Sequence, residues 1–146
     1  MAAFLLYADT MENLAIEAFM TPSPHTIGRA QPVALALKLM AEHRVRHLPV
    51  LDGGSLVGMV SERDLQFIET LRDVDVSKIA VEEAITTEAF TVAPGTPLRS
   101  VAVQMAEHKY GSAVVMDKER VVGVFTTIDA LRALSSLLEK GARVGG

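Results

Sequence analysis

The sequence contains no cysteine, which removes disulfides, thiol nucleophiles and cysteine-held zinc or iron–sulfur centres and points to a reducing, cytoplasmic setting. Aromatic residues make up only 5% of the chain, so the stacking platforms of a single-strand nucleic-acid binder are missing. Positive charge is not in surplus: 14 Lys and Arg face 18 Asp and Glu, a net charge of −4, which argues against a general nucleic-acid partner. No run is long and apolar enough for a membrane span, because residues 1–8 are too short and lack a basic flank. There is no Gly-x-Ser-x-Gly elbow, no Walker-type phosphate loop and no histidine base within any serine motif, so catalysis is not expected. His43 and His47 are four apart, but Pro49 places His47 at a strand start and no acid or third histidine completes a metal set.

What the sequence does have is a duplication. Leu56-Val57-Gly58-Met59-Val60-Ser61-Glu62-Arg63-Asp64 returns as Val121-Val122-Gly123-Val124-Phe125-Thr126-Thr127-Ile128-Asp129, the numbering shifted by a constant 65. Each copy is an apolar run holding a glycine, then a hydroxyl residue, two spacers and an aspartate, which predicts a buried strand feeding a helix. Ser or Thr three residues before an acid is the signature of a capped helix start. The same carboxylate, held at a strand-to-helix junction, could also accept the paired hydroxyls of a ligand while nearby N–H groups face a polar or anionic group. The two readings are compatible.

The offset holds along the chain without a gap. Met20-Thr21 aligns with Ile85-Thr86, Thr26-Ile27 with Thr91-Val92, Pro32 with Pro97, and Met40-Ala41-Glu42-His43-Arg44 with Met105-Ala106-Glu107-His108-Lys109. A short helix is predicted from about Asp9 to Met20, with Asp9 or Thr10 as cap, and its counterpart after Ser77. Pro32 and Pro97 are placed at the first helical position, with Thr96 as a cap. The apolar residues Val33, Ala36, Leu37, Met40, Ala41 and Leu98, Val101, Ala102, Met105, Ala106 recur at helical spacing, which predicts one core-facing stripe in each copy and puts the methionines in the core. Hairpins are predicted at Asp52-Gly53-Gly54-Ser55 and, on a weaker signal, at Asp117-Lys118-Glu119-Arg120. Further helices are expected from Asp64 to about Leu71 and from Asp129 to about Leu138. The divisions are residues 1–13 as an N-terminal extension, 14–72 and 73–140 as the repeats, and 141–146 as a flexible tail. One copy buries too little apolar surface to be comfortably stable alone, so two are expected to share a core about a pseudo-twofold axis.

Gly58-x-x-Ser61-x-x-Asp64, Gly123-x-x-Thr126-x-x-Asp129, His47-Leu48-Pro49-Val50-Leu51-Asp52 and the constant repeat period together resemble the tandem CBS-domain pair, or Bateman module, from about Leu14 to Leu138. The resemblance implies an α/β (α+β) fold of two βαββα repeats, their sheets packed centrally and their helices outside. It implies a regulatory module without chemistry of its own, binding AMP, ADP, ATP or another adenosyl ligand between the repeats, with no obligatory cofactor. Asp64 and Asp129 would accept ribose hydroxyls, and Ser61 and Thr126 would contact ribose or phosphate. Arg46 and His47, with Arg63 as a further candidate, would face phosphate, and the backbones of Thr26, Ile27, Thr91 and Val92 would read the adenine edge. A homodimer and a regulated protein partner are further expectations.

Gly111 and Ser112 stand where Arg46 and His47 stand in the first copy, so the two sites should differ in their hold on phosphate. Without the ligand reading, Arg44, Arg46 and His47 are a solvated basic surface, and His43 and His108 are exposed helix ends. The apolar Phe4, Leu5, Leu6 and Tyr7 call for a covering surface on their own domain or on a second subunit. The alternatives are a scaffold or dimerisation protein that has lost its ligand and a nucleic-acid-associated regulator.

Overall fold

The computed structural model describes residues 13–85 and 88–145. Asp9, Thr10 and the apolar Phe4 to Tyr7 lie outside the described residues. The elements run β1 (Thr21–Pro22), β2 (Ile27–Gly28), α1 (Val33–His43), β3 (His47–Asp52), β4 (Ser55–Ser61), α2 (Glu62–Glu69), β5 (Thr91–Val92), α3 (Leu98–His108), β6 (Ser112–Asp117), β7 (Arg120–Thr126) and α4 (Thr127–Gly145). Apart from β1, an additional short strand at the head of the first copy, each copy is thus a strand, helix, strand, strand and helix, in a mixed α/β architecture with two sheets. Among the described residues, no helix is long and apolar enough to cross a membrane.

The chain forms two compact units, and these cut across the repeats. One holds the segment ending at Ser23 together with the chain from Phe90 onward; the other is Pro24–Ala89. The Pro24–Ala89 unit has the sheet order β2-β3-β4, with β2 parallel and β4 antiparallel to β3. In the other unit the order is β1-β7-β6-β5, so a strand from the head of the first repeat borders the second repeat's hairpin.

The short helices expected before each repeat are 3₁₀ turns, Ile16–Ala18 and Val81–Ala84. Their backbone groups are committed elsewhere, which is why they do not wind into α-helix. Ile16 N–H donates to the Thr96 carbonyl at 2.8 Å and Glu17 N–H to that of Pro94 at 3.1 Å; Val81 N–H donates to Gln31 at 2.7 Å and Glu82 N–H to Arg29 at 3.0 Å. The second pair of bonds is the first carried over by the repeat offset, with the copies exchanged. Leu98 N–H reaches the Leu14 carbonyl and Val33 N–H that of Ile79, both at 2.8 Å. These two donors belong to the first turns of α3 and α1, which have no side-chain cap. The carbonyls of the leading segments therefore fill the role expected of Thr96. Pro32 and Pro97 sit at the N-cap itself, one position earlier than predicted.

Apolar packing follows the same exchange. Ile16 is fully buried with Val101, Met105, Ala113, Val115 and Phe125, while Val81 is fully buried with Val33, Met40, Leu48, Val60 and Leu65. Met40 and Met105 are core residues as expected, whereas Ala41, Ala102 and Ala106 face solvent because a single turn-wise row of each helix suffices to cover its sheet. The Gly53 and Gly54 turn has φ of +57° and +92°, the left-handed geometry that a two-residue hairpin demands. Helix α4 continues to Gly145 rather than ending near Leu138, so the described part of the stretch expected to be a flexible tail is helical; extending an established helix costs little per residue.

The repeated glycines are explained by close approach. A Cβ on Gly58 would lie 2.8 Å from Ile85 Cγ2, and one on Gly123 would lie 2.9 Å from Met20 Cγ. Met20 and Ile85 are themselves equivalent positions of the two copies, so each repeat's hairpin strand is kept bare for the other's leading segment. Gly58→Ala and Gly123→Ala should each lower stability by about 1–3 kcal/mol through overpacking, measured as the urea midpoint. Adding Met20→Ala to Gly123→Ala should recover part of that loss, and strictly additive losses in the double-mutant cycle would count against this contact.

Candidate functional site

The two candidate sites share one backbone plan, each within its own unit. In the Pro24–Ala89 unit His47 pairs across the hairpin with Ser61, and Glu62 N–H donates to the Arg46 carbonyl at 2.8 Å. In the other unit Ser112 pairs with Thr126, and Thr127 N–H donates to the Gly111 carbonyl at 3.2 Å. These bonds fix the start of the following helix against the start of β3 or β6. The two residues entering the first hairpin strand, the hydroxyl residue and the aspartate are thereby brought to one end of each sheet.

The side chains then diverge. Ser61 caps α2, its hydroxyl accepting the Asp64 N–H at 3.2 Å, and the Asp64 side chain is left exposed. Half-buried His47 lies within electrostatic reach of both Asp64 and Arg46. Burial holds its imidazole below the ordinary 6.5; Asp64 partly opposes this and Arg46 reinforces it. Arg46 and Arg63 are exposed, and among the described residues neither is in an ion pair. The arrangement offers an open carboxylate next to two cationic or protonatable groups, suited to a ligand with hydroxyls at one end and an anion at the other.

Asp129 is in a different state, with only 7% of its surface exposed. Its Oδ2 accepts the Thr126 N–H at 3.0 Å and the Thr126 hydroxyl at 3.2 Å, while its own N–H donates to Thr126 Oγ1 at 3.3 Å, a reciprocal capping box. The Thr21 hydroxyl donates to Oδ1 at 3.1 Å and lies 3.3 Å from Oδ2. Arg132 approaches Oδ1 at 3.8 Å from the solvent side. The structural and ligand-binding readings of this motif, left open by the sequence, separate here: the cap is fully formed around Asp129 and only half formed around Asp64.

The short strands lie at sheet edges, β2 beside β3 and β5 beside β6. Ile27 is buried in the core of its unit and Val92 packs against the core of the other, so only their backbones are available to a ligand. Thr26 is half-buried and Thr91 exposed.

Two features carry no signal in the motifs themselves. Thr21 aligns with Thr86, which lies outside the described residues, and nothing local marks it as a partner of Asp129. Ring clusters also occupy matched places: His25 stacks on His43 with centroids 3.6 Å apart, and Phe90, Tyr110 and His108 form a second group with centroid separations of 5.0 and 5.1 Å. His25 and Phe90, like His43 and His108, are equivalent positions of the two copies, and that equivalence is the signal that finds them. Among the described residues, no cluster of three metal-ligating side chains is present.

The lowered pKa of His47 sets a pH dependence. As pH falls below 6.5, the unfolded chain takes up a proton that the native His47 refuses, so stability present above that pH is lost until the folded pKa is reached. Urea midpoints measured from neutral to mildly acidic pH should therefore fall more steeply in the native sequence than in His47→Gln, and parallel curves would refute the burial-driven shift.

Comparison with known proteins agrees with this architecture. The CBS domain family model matches residues 16–68 and 81–136. The crystal structure of AcuB from Vibrio cholerae superposes with a TM-score of 0.79 at 31% identity, covering 89% of this chain and 96% of that one. The CBS domain pair of protein MJ0100, solved in complex with 5′-methylthioadenosine and S-adenosyl-L-methionine, gives 0.76 at 26% identity, covering 84% and 97%. CBSX2 in complex with AMP gives 0.72 at 28% identity, with the same coverages. Several curated relatives are enzymes of which the chain spans only 13–25% of the length. With two matched stretches that together take in most of the sequence, and with the repeat geometry they require, the chain belongs to the CBS domain family.

Proposed function

We propose that the protein is a non-catalytic sensor of an adenine nucleotide or related adenosyl ligand, and that the Pro24–Ala89 unit holds the phosphate-bearing form. The observation that carries this reading is the exposed Asp64 carboxylate within electrostatic reach of His47, with Arg46 adjacent. Asp64 accepts the ribose diol, Ser61 lies at the ribose or phosphate, and Arg46, His47 and Arg63 meet the anion. The outer edges of β2 and β5, at Thr26, Ile27, Thr91 and Val92, offer backbone donors and acceptors to the base. Relatives crystallised with AMP or with two adenosyl compounds support the ligand class. The ligand signals to a protein partner by preferring one arrangement of the chain.

In thermal-shift and calorimetric titrations with adenosine, AMP, ADP, ATP, NAD and S-adenosylmethionine, at least one is expected to bind. A ligand at a hundredfold excess over its Kd adds about 2.7 kcal/mol of stability. Asp64→Ala should abolish binding in this unit, and Arg46→Ala should weaken AMP more than adenosine. Because a nearby anion raises the His47 pKa, AMP affinity should increase as pH falls below neutrality, and adenosine affinity should not. Silence toward every compound would favour a ligand-free scaffold.

The second copy of this chain is the partner best matched to the outer face of α4. Ile128, Leu131, Leu134 and Leu138 recur along it at helical spacing, and Leu131 and Leu138 are 60% and 64% exposed. Such an apolar row on a charged helix is the pattern of an isologous helix-on-helix dimer. Sedimentation should show a dimer that Leu131→Glu with Leu138→Glu converts to monomer; an unchanged mass in that variant would remove α4 from the interface.

A further inference from the structure

The Asp64 site is open, and the Asp129 site is closed by the chain itself. A carboxylate has two oxygens and about four lone-pair positions. Around Asp129 the Thr126 N–H, the Thr126 hydroxyl and the Thr21 hydroxyl already use three of them. A sugar diol brings two donors, so it cannot be accommodated without removing one of the three. The two from Thr126 belong to the capping box that starts α4, and losing them would leave a partly buried N–H without its acceptor. The Thr21 hydroxyl is the one that can leave, since Thr21 is exposed and its hydroxyl can turn to water.

We propose that Thr21 is the specificity-determining residue of the Asp129 site, a built-in occupant whose hydroxyl takes the place that a ribose hydroxyl would otherwise have. This deepens the sensor reading and rests on it. Thr21 does so from β1, whose register is fixed by pairing with β7 at Thr21 to Val124 and Pro22 to Gly123, and by the Ser23 N–H donating to the Val122 carbonyl at 3.1 Å. Backbone pairing and the seating of Met20 over Gly123 thus hold Thr21 beside the carboxylate, within reach of its hydroxyl. The Asp129 site accordingly selects against diols at concentrations that fill Asp64, and with Gly111 and Ser112 in place of Arg46 and His47 it keeps only the exposed Arg132, 3.8 Å from Oδ1, as a positive charge beside the carboxylate.

Isothermal titration with adenosine and AMP tests this through stoichiometry. The native chain should bind one equivalent, lost in Asp64→Ala. Thr21→Val, which keeps the shape and removes the donor, should bind a second equivalent that disappears in Thr21→Val combined with Asp129→Asn. Thr21→Ser retains the donor and should behave as the native chain, which separates loss of the hydroxyl from loss of the β-branched side chain. Circular dichroism and a urea midpoint confirm that each variant is folded, and Thr21→Ala serves in place of Thr21→Val should the latter not fold. One equivalent in both Thr21→Val and Thr21→Ala, or two in the native chain, overturns the proposal while leaving the sensor reading standing. No binding by the native chain or by any Thr21 variant sinks the sensor reading, and the Thr21 proposal falls with it.

Discussion

The structure depends on the backbone hydrogen bonds by which the segment leading into each repeat satisfies the helix start of the other. Two helices begin with a proline at the N-cap and without any side-chain cap. Orphan N–H groups at a buried helix start cost stability unless something accepts from them. Leu14 and Ile79 supply the carbonyls, and the 3₁₀ turns that follow return their own N–H groups to the same loops. Ile16 and Val81 then enter the cores, and Met20 and Ile85 settle over glycines left bare for them. The exchange makes each compact unit a product of both ends of a repeat boundary, so neither repeat as written in the sequence is a complete folding unit.

The same exchange divides the fates of the two aspartates. A leading segment that borders a hairpin must pass the end of the strand from which the next helix starts, and that is where the aspartate stands. In the unit containing Asp129 the passing segment brings a hydroxyl within hydrogen-bond distance, and the carboxylate becomes a buried group that accepts from three donors. Around Asp64 the charge stays exposed and is felt by His47. The shared backbone plan explains why the duplication is so regular in sequence. The differences between Arg46 and Gly111 and between His47 and Ser112 then set the chemistry without disturbing the plan.

Much of this is legible in the sequence because the duplication provides its own control. Strand, helix and hairpin positions and the core methionines follow from apolar spacing, turn residues and the constant offset between copies, while the grouping of Arg46, His47, Ser61 and Asp64 is implied by the resemblance to the CBS pair. What cannot be read is which copy each leading segment serves. A hydrogen bond from Ile16 to Thr96 and one from Val81 to Gln31 leave no trace in local propensity, since they join residues far apart in sequence. That is also why local patterns over-predict the short helices, credit Thr96 with a cap, and show Gly58 and Gly123 only as breaks in a strand. The role of Thr21 is hidden for the same reason, because its partner is 108 residues away.

The energetic difference between the sites decides which would fill first. At Asp64 a diol displaces water from an exposed carboxylate, so its charge-assisted bonds compete only with solvent. At Asp129 it must replace a hydroxyl donor already in place, so one of its two hydrogen bonds brings no net gain. Hydrogen bonds to a charged group are worth roughly 1.5–3 kcal/mol, and each step of about 1.4 kcal/mol is tenfold in affinity. Forfeiting one bond therefore separates the sites by roughly one to two orders of magnitude before the replacement of Arg46 and His47 by Gly111 and Ser112 is considered. On the proposed reading, such a module would fill at Asp64 first and at Asp129 only at higher ligand concentration, an asymmetry to which the Thr21 hydroxyl on a very short strand contributes.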